Sequence, residues 1–220
     1  MRLNKIPTEC TCGGTGIIRD DEDNYVKCFC WYERRYDRIY GESRKHLPLR
    51  YNDVSLQSLK DSGCEVKTED RDEFTNILSY PEEYLHGRGI FIIGGSTDAR
   101  LGAAMAIAKR AIFVGGMSFT YVDWSNYFPN FFEHWKTGVG EIYEDMVEAR
   151  TLIIDNFNLD GLVEDKQMYL NTFWNSRSSY NKLTIFCGNY FPDETDTGED
   201  FIQSVVYKYC DIIKLVKSKG

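Results

Sequence analysis

From Gly87 onward the apolar positions fall into two kinds of block. Short apolar runs at Ile90–Ile93, Phe119–Val122, Thr151–Ile154, Leu183–Cys187 and Asp211–Val216 have the length of strands. Between them the spacing changes. Leu101, Ala104, Met105, Ala108 and Ile112 recur every three or four positions and predict a helix with one face on a sheet. Helices are also expected from Trp124 to Trp135, Ile142 to Glu148, Asp165 to Ser176 and Phe201 to Tyr209. Strands alternating with helices predict an α/β fold, with a parallel sheet covered on both faces. Upstream, Trp31 to Lys45 reads as a charged, aromatic linker helix ending before Pro48. LPLRYNDVSLQSL follows as an extended segment, and Asp70 to Tyr84 supports a helix with Phe74, Ile77, Leu78 and Tyr84 near one side.

The first 30 residues follow neither period. Cys10-Thr-Cys12 and Cys28-Phe-Cys30 flank a hairpin pattern, with Ile17 and Ile18 opening one strand, a polar turn at Asp20 to Asn24, and a return at Tyr25 to Lys27. Paired cysteines in a chain read as cytosolic point to metal rather than a disulfide, and four thiolates suit one tetrahedral structural Zn²⁺. Cys10, Cys12, Cys28 and Cys30 are the candidate ligands. Reactive thiols and an iron–sulfur centre are the alternatives, and the C-x-C spacing is less usual than C-x₂-C. All four positions are filled, so a catalytic zinc with a water site is not expected. So small a module has little core, and metal would supply much of its folding energy. The expected division is residues 1–46, zinc ribbon and linker helix, and 47–220, the α/β domain. Cys64, Cys187 and Cys210 read as buried small apolar residues, and His46, His86 and His134 lack metal-site spacing.

Composition narrows the function classes. The chain of 220 residues carries a net charge of −8, which counts against non-specific nucleic-acid binding as its main role. Arg34 to Arg50 is a local exception, with six Lys/Arg against two acids. It reads as a solvated helix face or, as the alternative, a phosphate-contacting patch able to engage single-stranded DNA. No apolar run approaches the roughly 20 residues that span a bilayer, and no signal-peptide pattern opens the chain. No membrane association is expected, and the cytoplasm is the expected location. The aromatic run from Tyr121 to Trp135 is richer than a core needs and is a candidate protein-binding patch.

Ligands of doubly wound sheets sit beyond the carboxyl ends of the strands. The Gly94–Arg100 loop, Asp155-Asn156 and Asn189 are placed there, in the layout of a P-loop nucleotidase. Here the chain resembles a named family. LPLRYNDVSLQSL, GIFIIGGSTDARLGAAMAIA, RTLIIDNF, NSRSSYNKLTIFCGN and FIQSVVYKYCDIIKL follow the order of the opening segment, Walker A, Walker B, sensor 1 and closing elements of the DnaC/DnaI-type replicative helicase loaders. These are AAA+ proteins that also resemble the IstB transposition ATPases. CTCGGTG…CFC is similar to the zinc ribbon of some loaders. The resemblance spans most of the chain. It implies an AAA+-like domain, a DnaB-type replicative helicase as partner, a nucleotide site at Gly94, Gly95, Arg100, Asp155 and Asn189, and self-assembly on the helicase.

The departures alter that expectation. With Gly94 at the first Walker A glycine, Ala99 replaces the last glycine, Arg100 the lysine and Leu101 the Mg²⁺-binding Ser/Thr. Asp98 adds negative charge, Asn156 takes the place of the Walker B acidic partner, and Ser204-Val205-Val206 stands where the family has Ser-Arg-Leu. Such residues act as a unit. The expectation is therefore a degenerate AAA+ site with zinc as the cofactor and ATP neither used nor hydrolysed. It describes a helicase loader or adaptor, with a phage or mobile element as the expected source. The alternatives are an active ATPase loader or IstB-like transposition helper, in which Arg100, Lys109 or a neighbouring subunit supplies charge, and an inhibitor of helicase loading.

Overall fold

The computed structural model describes residues 9–81, 83, 87–127, 141–158, 164–189 and 205–218. A two-stranded antiparallel hairpin, β1 (Ile17–Arg19) and β2 (Tyr25–Lys27), leads into α1 (Phe29–Ser43). Then come α2 (Leu56–Asp61), β3 (Cys64–Val66), α3 (Arg71–Ser79), β4 (Gly89–Gly94), α4 (Thr97–Gly115), β5 (Phe119–Asp123), α5 (Glu141–Glu148), β6 (Thr151–Phe157), α6 (Glu164–Ser179), β7 (Leu183–Gly188) and β8 (Cys210–Lys217). The main sheet has six strands in the order β3-β8-β4-β7-β6-β5. Every pairing is parallel except β3 with β8, where Cys64 faces Lys217 and Val66 faces Leu215.

Two segments differ from the sequence reading. LPLRYNDVSLQSL is not extended. Leu49–Tyr51 forms a 3₁₀ turn, and Ser55 caps α2 by accepting from Gln57 N–H. The Ser55-x-x-Ser58 capping box supplies a local helix signal in a segment too short for periodicity to show. β3 was not expected. At three residues on a sheet edge it is too short to carry a period-2 signal. The predicted helical residues 128–135 and 201–204, together with Tyr84, His86 and His134, lie outside the described residues.

Strand alternation sorts the core onto both faces of the sheet. Ile90 and Ile92 of β4 join one cluster with Leu101, Ala104 and Ala108 of α4 and with Leu59 and Phe74 of α2 and α3. Phe91 and Ile93 join the other, with Met146 of α5 and Leu170, Phe173 and Trp174 of α6. β4 is buried along Gly89–Ile93, as a central parallel strand covered on both sides should be. Cys64 and Cys187 are buried and Cys210 is half-buried.

α1 lies on α4. Phe29 and Tyr32 approach the Phe113 ring at 5.7 and 5.8 Å. Arg35 donates to the Phe113 and Val114 carbonyls at 2.7 and 2.8 Å, placing a cation on the α4 carboxyl end, where the helix dipole favours it. Gly102 marks a closer contact. A Cβ there would come within 2.8 Å of the Ser55 carbonyl, so α2 can sit directly over the first turns of α4.

Candidate functional site

The two candidate ligand sites are built differently. In the ribbon, the sulfurs of Cys10, Cys12, Cys28 and Cys30 lie within 4.8 Å of one another. Cys12 and Cys30 are 3.3 Å apart, and Cys10 and Cys12 3.7 Å. A tetrahedron of thiolates around Zn²⁺ has sulfur–sulfur edges of about 3.8 Å, so the cluster has the right size for the ion. Gly16 N–H donates to the Cys12 sulfur at 3.1 Å. That bond, followed by the one to Cys30, pushes the Cys12 thiol down to about 6. Cys30 moves the other way, to about 12, chiefly because Cys12 takes the charge first. A sulfur cluster that polarises itself in this way can hold a cation of thiophilic type. Gly16, at φ 79, supplies the left-handed turn that aims its N–H at sulfur.

The strand-end loop has another character. β4 ends at Gly94, and α4 already begins at Thr97. Residues 97–99, which in a P-loop would still belong to the phosphate cradle, are wound into the helix. Ser96 caps it by accepting from Ala99 N–H at 3.2 Å, and Arg100 N–H donates to the Ser96 carbonyl at 3.0 Å. Gly94 and Gly95 both adopt positive φ. At Gly94 a Cβ would meet the Leu215 carbonyl at 2.5 Å, so β8 pins the loop from the side.

Arg100 fills the space so enclosed. Its guanidinium is 1% exposed and donates to the Gly94 and Gly95 carbonyls at 3.2 and 3.0 Å and to the Thr97 hydroxyl at 3.2 Å. Burial lowers its proton affinity, while the charges of Cys187 and Asp155 partly restore it. Asp155, fully buried at the end of β6, accepts from Tyr121 Oη at 3.0 Å and from Asn156 N–H at 2.9 Å. Burial raises its carboxyl above the ordinary aspartate range, against those two donors and the Arg100 charge. The Tyr121 hydroxyl is pushed far up, first by burial and then by Asp155. Tyr51, from the 3₁₀ turn, packs its ring 6.1 Å from that of Tyr121. Arg100, Asp155, Tyr121 and Tyr51 thus form one linked group at the carboxyl ends of β4, β5 and β6.

The other site residues fall apart from this group. Asn189 follows the end of β7 and is exposed. Leu101 is fully buried among apolar neighbours. Asn156 has φ 53 and donates its side-chain amide to Asp123 at 3.2 Å, at a break in the β6–β7 register. A short polar side chain tolerates that backbone, which gives a physical reason for Asn where an acidic partner was expected. Lys109 cannot reach the loop. It lies about 13 Å along α4 from Arg100, and its ammonium donates to the Val54 carbonyl at 2.7 Å. Val205 and Val206 are core residues.

Arg177, on α6, is not a surface arginine. It is fully buried and donates to the Met146, Ala149 and Leu183 carbonyls and to Thr184. Burial pushes it down to about 9, so it stays charged at neutral pH. The sequence reading missed Tyr121 and Thr97. Tyr121 lies diagonally across from Asp155, in a pairing fixed by β5–β6 register, and register is not written in either strand alone.

No family model and no curated protein matches the chain. Solved structures do. The DnaC helicase loader superposes with a TM-score of 0.56 at 14% identity, over 77% of this chain and 100% of that one. The chain shares the fold of that loader. DnaI matches with a TM-score of 0.53 at 15% identity, over 79% and 93% of the two chains. A candidate primosome component from Streptococcus pyogenes serotype M3 matches with a TM-score of 0.55 at 20% identity, over 79% and 92%. At these identities the likeness establishes fold. Among the described residues no helix is long and apolar enough to cross a membrane.

Proposed function

We propose that this AAA+-fold protein is an adaptor that binds a DnaB-type replicative helicase and helps place it on DNA, without binding or hydrolysing ATP. The loader fold supports the partner. The observation that carries the nucleotide-independent part is the Arg100 guanidinium, buried in its own loop and bonded to the Gly94 and Gly95 carbonyls. With its terminal nitrogens bonded to the loop's own carbonyls and to Thr97, that cation is turned away from the role a P-loop lysine plays toward phosphate. Asp155, held by Tyr121, is likewise engaged rather than presented to a metal.

The four-thiol cluster is proposed as a structural Zn²⁺ site, with Cys10, Cys12, Cys28 and Cys30 as ligands. Zinc would supply the cross-link that a two-stranded hairpin cannot supply from its own core. An ATP-independent loader suits a phage or mobile element that recruits a helicase already present, and ordinary chromosomal genes flanking this one would contradict that origin.

The test is co-elution with a hexameric replicative helicase on a sizing column, with and without Mg-ATP, using a helicase mutant blind to nucleotide. A stable complex, equal in both conditions, is expected. A complex that forms or dissolves with ATP would revive an active ATPase loader, and no complex at all would remove the helicase as partner.

A further inference from the structure

The four thiols of the ribbon are unequally sheltered. Cys28 is buried, Cys12 and Cys30 are half-buried, and Cys10 is exposed. They are also unequally close. Cys12 and Cys30 come from opposite knuckles, 18 positions apart, yet their sulfurs lie 3.3 Å from each other, against 3.7 Å for Cys10 and Cys12. Disulfide sulfurs stand about 2.0 Å apart, so this pair needs to close by only about 1.3 Å. Local backbone bonds hold the two in place. The Thr15 N–H and hydroxyl both donate to the Cys12 carbonyl, at 3.2 and 2.9 Å, and the Cys28 N–H donates to the Gly16 carbonyl at 2.9 Å. Cys30 lies in the first turn of α1.

A cation stands beside the pair. Arg34, one turn further along α1, donates through Nε to the Cys30 carbonyl at 3.2 Å and places Nη2 3.8 Å from the Cys30 sulfur. Nη2 also lies over the Gly16 turn, 2.9 Å from where a Cβ would stand. Arg34 is exposed. Partly exposed sulfur beside a cation is the setting in which cysteines react. Where disulfides form in reducing compartments, they are transient and redox-sensing.

We infer that the ribbon is a peroxide-sensitive switch, in which oxidation joins Cys12 to Cys30 and dismantles the metal site, with Arg34 positioning the peroxide at the Cys30 sulfur. The inference rests on the zinc reading of the cluster. The step balances with hydrogen peroxide as the two-electron oxidant. The Cys30 thiolate attacks one peroxide oxygen, the O–O bond breaks, and hydroxide leaves beside Arg34 and takes a proton from solvent to become water. The Cys12 thiolate then attacks the sulfur of the Cys30 sulfenic acid, the S–O bond breaks, and a second hydroxide leaves and is protonated to water. Two thiolates, one peroxide and two protons become one disulfide and two waters. Cys10 and Cys28 remain, half of the ligands a structural Zn²⁺ site needs, and the ion is lost. α1 stays on α4, because the contacts of Phe29, Tyr32 and Arg35 to Phe113 and Val114 use no sulfur.

The experiment treats the full chain, as purified, with hydrogen peroxide, follows Zn²⁺ release with a chromophoric chelator, and maps disulfides by peptide mass spectrometry. About one Zn²⁺ per Cys12–Cys30 cross-link is expected, with Cys64 and Cys187, both buried, unmodified. Dithiothreitol with added zinc should restore the starting metal content. Arg34→Gln should slow release about tenfold at unchanged zinc content, and Arg34→Lys should recover most of the rate, a pattern that a merely structural role would not produce. Zinc retained under excess peroxide, or released with Cys10 or Cys28 in the cross-link, would overturn the switch and leave the zinc reading standing. An unchanged rate in Arg34→Gln would overturn the role of Arg34. Protein that carries no metal before treatment would overturn the zinc reading and the switch with it.

Discussion

The thiol cluster and the strand-end loop are the two candidate ligand sites of the chain, and their polar groups are in opposite states. In the ribbon, four sulfurs converge within 4.8 Å, and their mutual bonds drive one thiol down to about 6 and another up to about 12. The Arg34 guanidinium approaches one of them, the Cys30 sulfur, at 3.8 Å. In the loop, the acceptors face inward on a cation the chain itself supplies, Arg100, with Asp155 as its nearby counter-charge. Four sulfurs bonded chiefly to one another have room for an ion between them, whereas acceptors already bonded to a buried guanidinium have their partner built in. The contrast separates a cluster whose size suits an ion from a loop whose carbonyls are already bonded by the chain itself.

The largest expected effect lies in the ribbon. Purified protein should carry about one zinc per chain, and Cys28→Ser with Cys30→Ser should abolish it. Because metal binding in such modules is folding energy on the order of 10 kcal/mol, hydrogen exchange over residues 16–28 should rise to the unprotected rate. Metal analysis near zero in fresh wild-type protein would place both sites in the same closed class.

The next effect is at Arg100. Arg100→Ala leaves the Gly94 and Gly95 carbonyls without their donor and Asp155 without its counter-charge. Chemical denaturation should show a loss of about 2–4 kcal/mol. Arg100→Lys should recover part of that loss without creating nucleotide affinity, because residues 97–99 remain helical. A neutral Arg100→Ala would mean that the guanidinium is not what fills the loop.

The smallest effect sharpens the electrostatics. Burial raises the Asp155 pKa, so the fold favours its protonated form. Ionising it removes stability as pH rises from the ordinary aspartate value toward the raised one, and the penalty is constant above that. Asp155→Asn keeps an acceptor for Tyr121 and does not titrate. In melts from pH 4 to 7 the wild type should therefore lose ground to the variant as pH rises. The opposite trend would show that Arg100 and Tyr121 outweigh desolvation.

Much of the fold was legible because the parallel strands are buried on both faces and read as unbroken apolar runs, as Gly89–Ile93 does. The cysteine spacing likewise placed all four thiols correctly around one point. What stayed hidden depends on distance rather than pattern. β3 and the 3₁₀ turn at Leu49–Tyr51 are too short to show a period. The sequence marked Arg100 as a departure, but only packing shows the side chain turning back onto its own loop. Arg177 reads as any surface arginine on a helix until the carbonyls of Met146, Ala149 and Leu183 are placed around it.

The central claim is that the loop is closed by its own arginine. Isothermal titration of the full chain with Mg-ATP and with ATP alone tests it most directly. The closed loop predicts no saturable binding up to millimolar nucleotide. A dissociation constant in the micromolar range, abolished by Asp155→Ala, would contradict it and show that Arg100 leaves the loop when a nucleotide arrives.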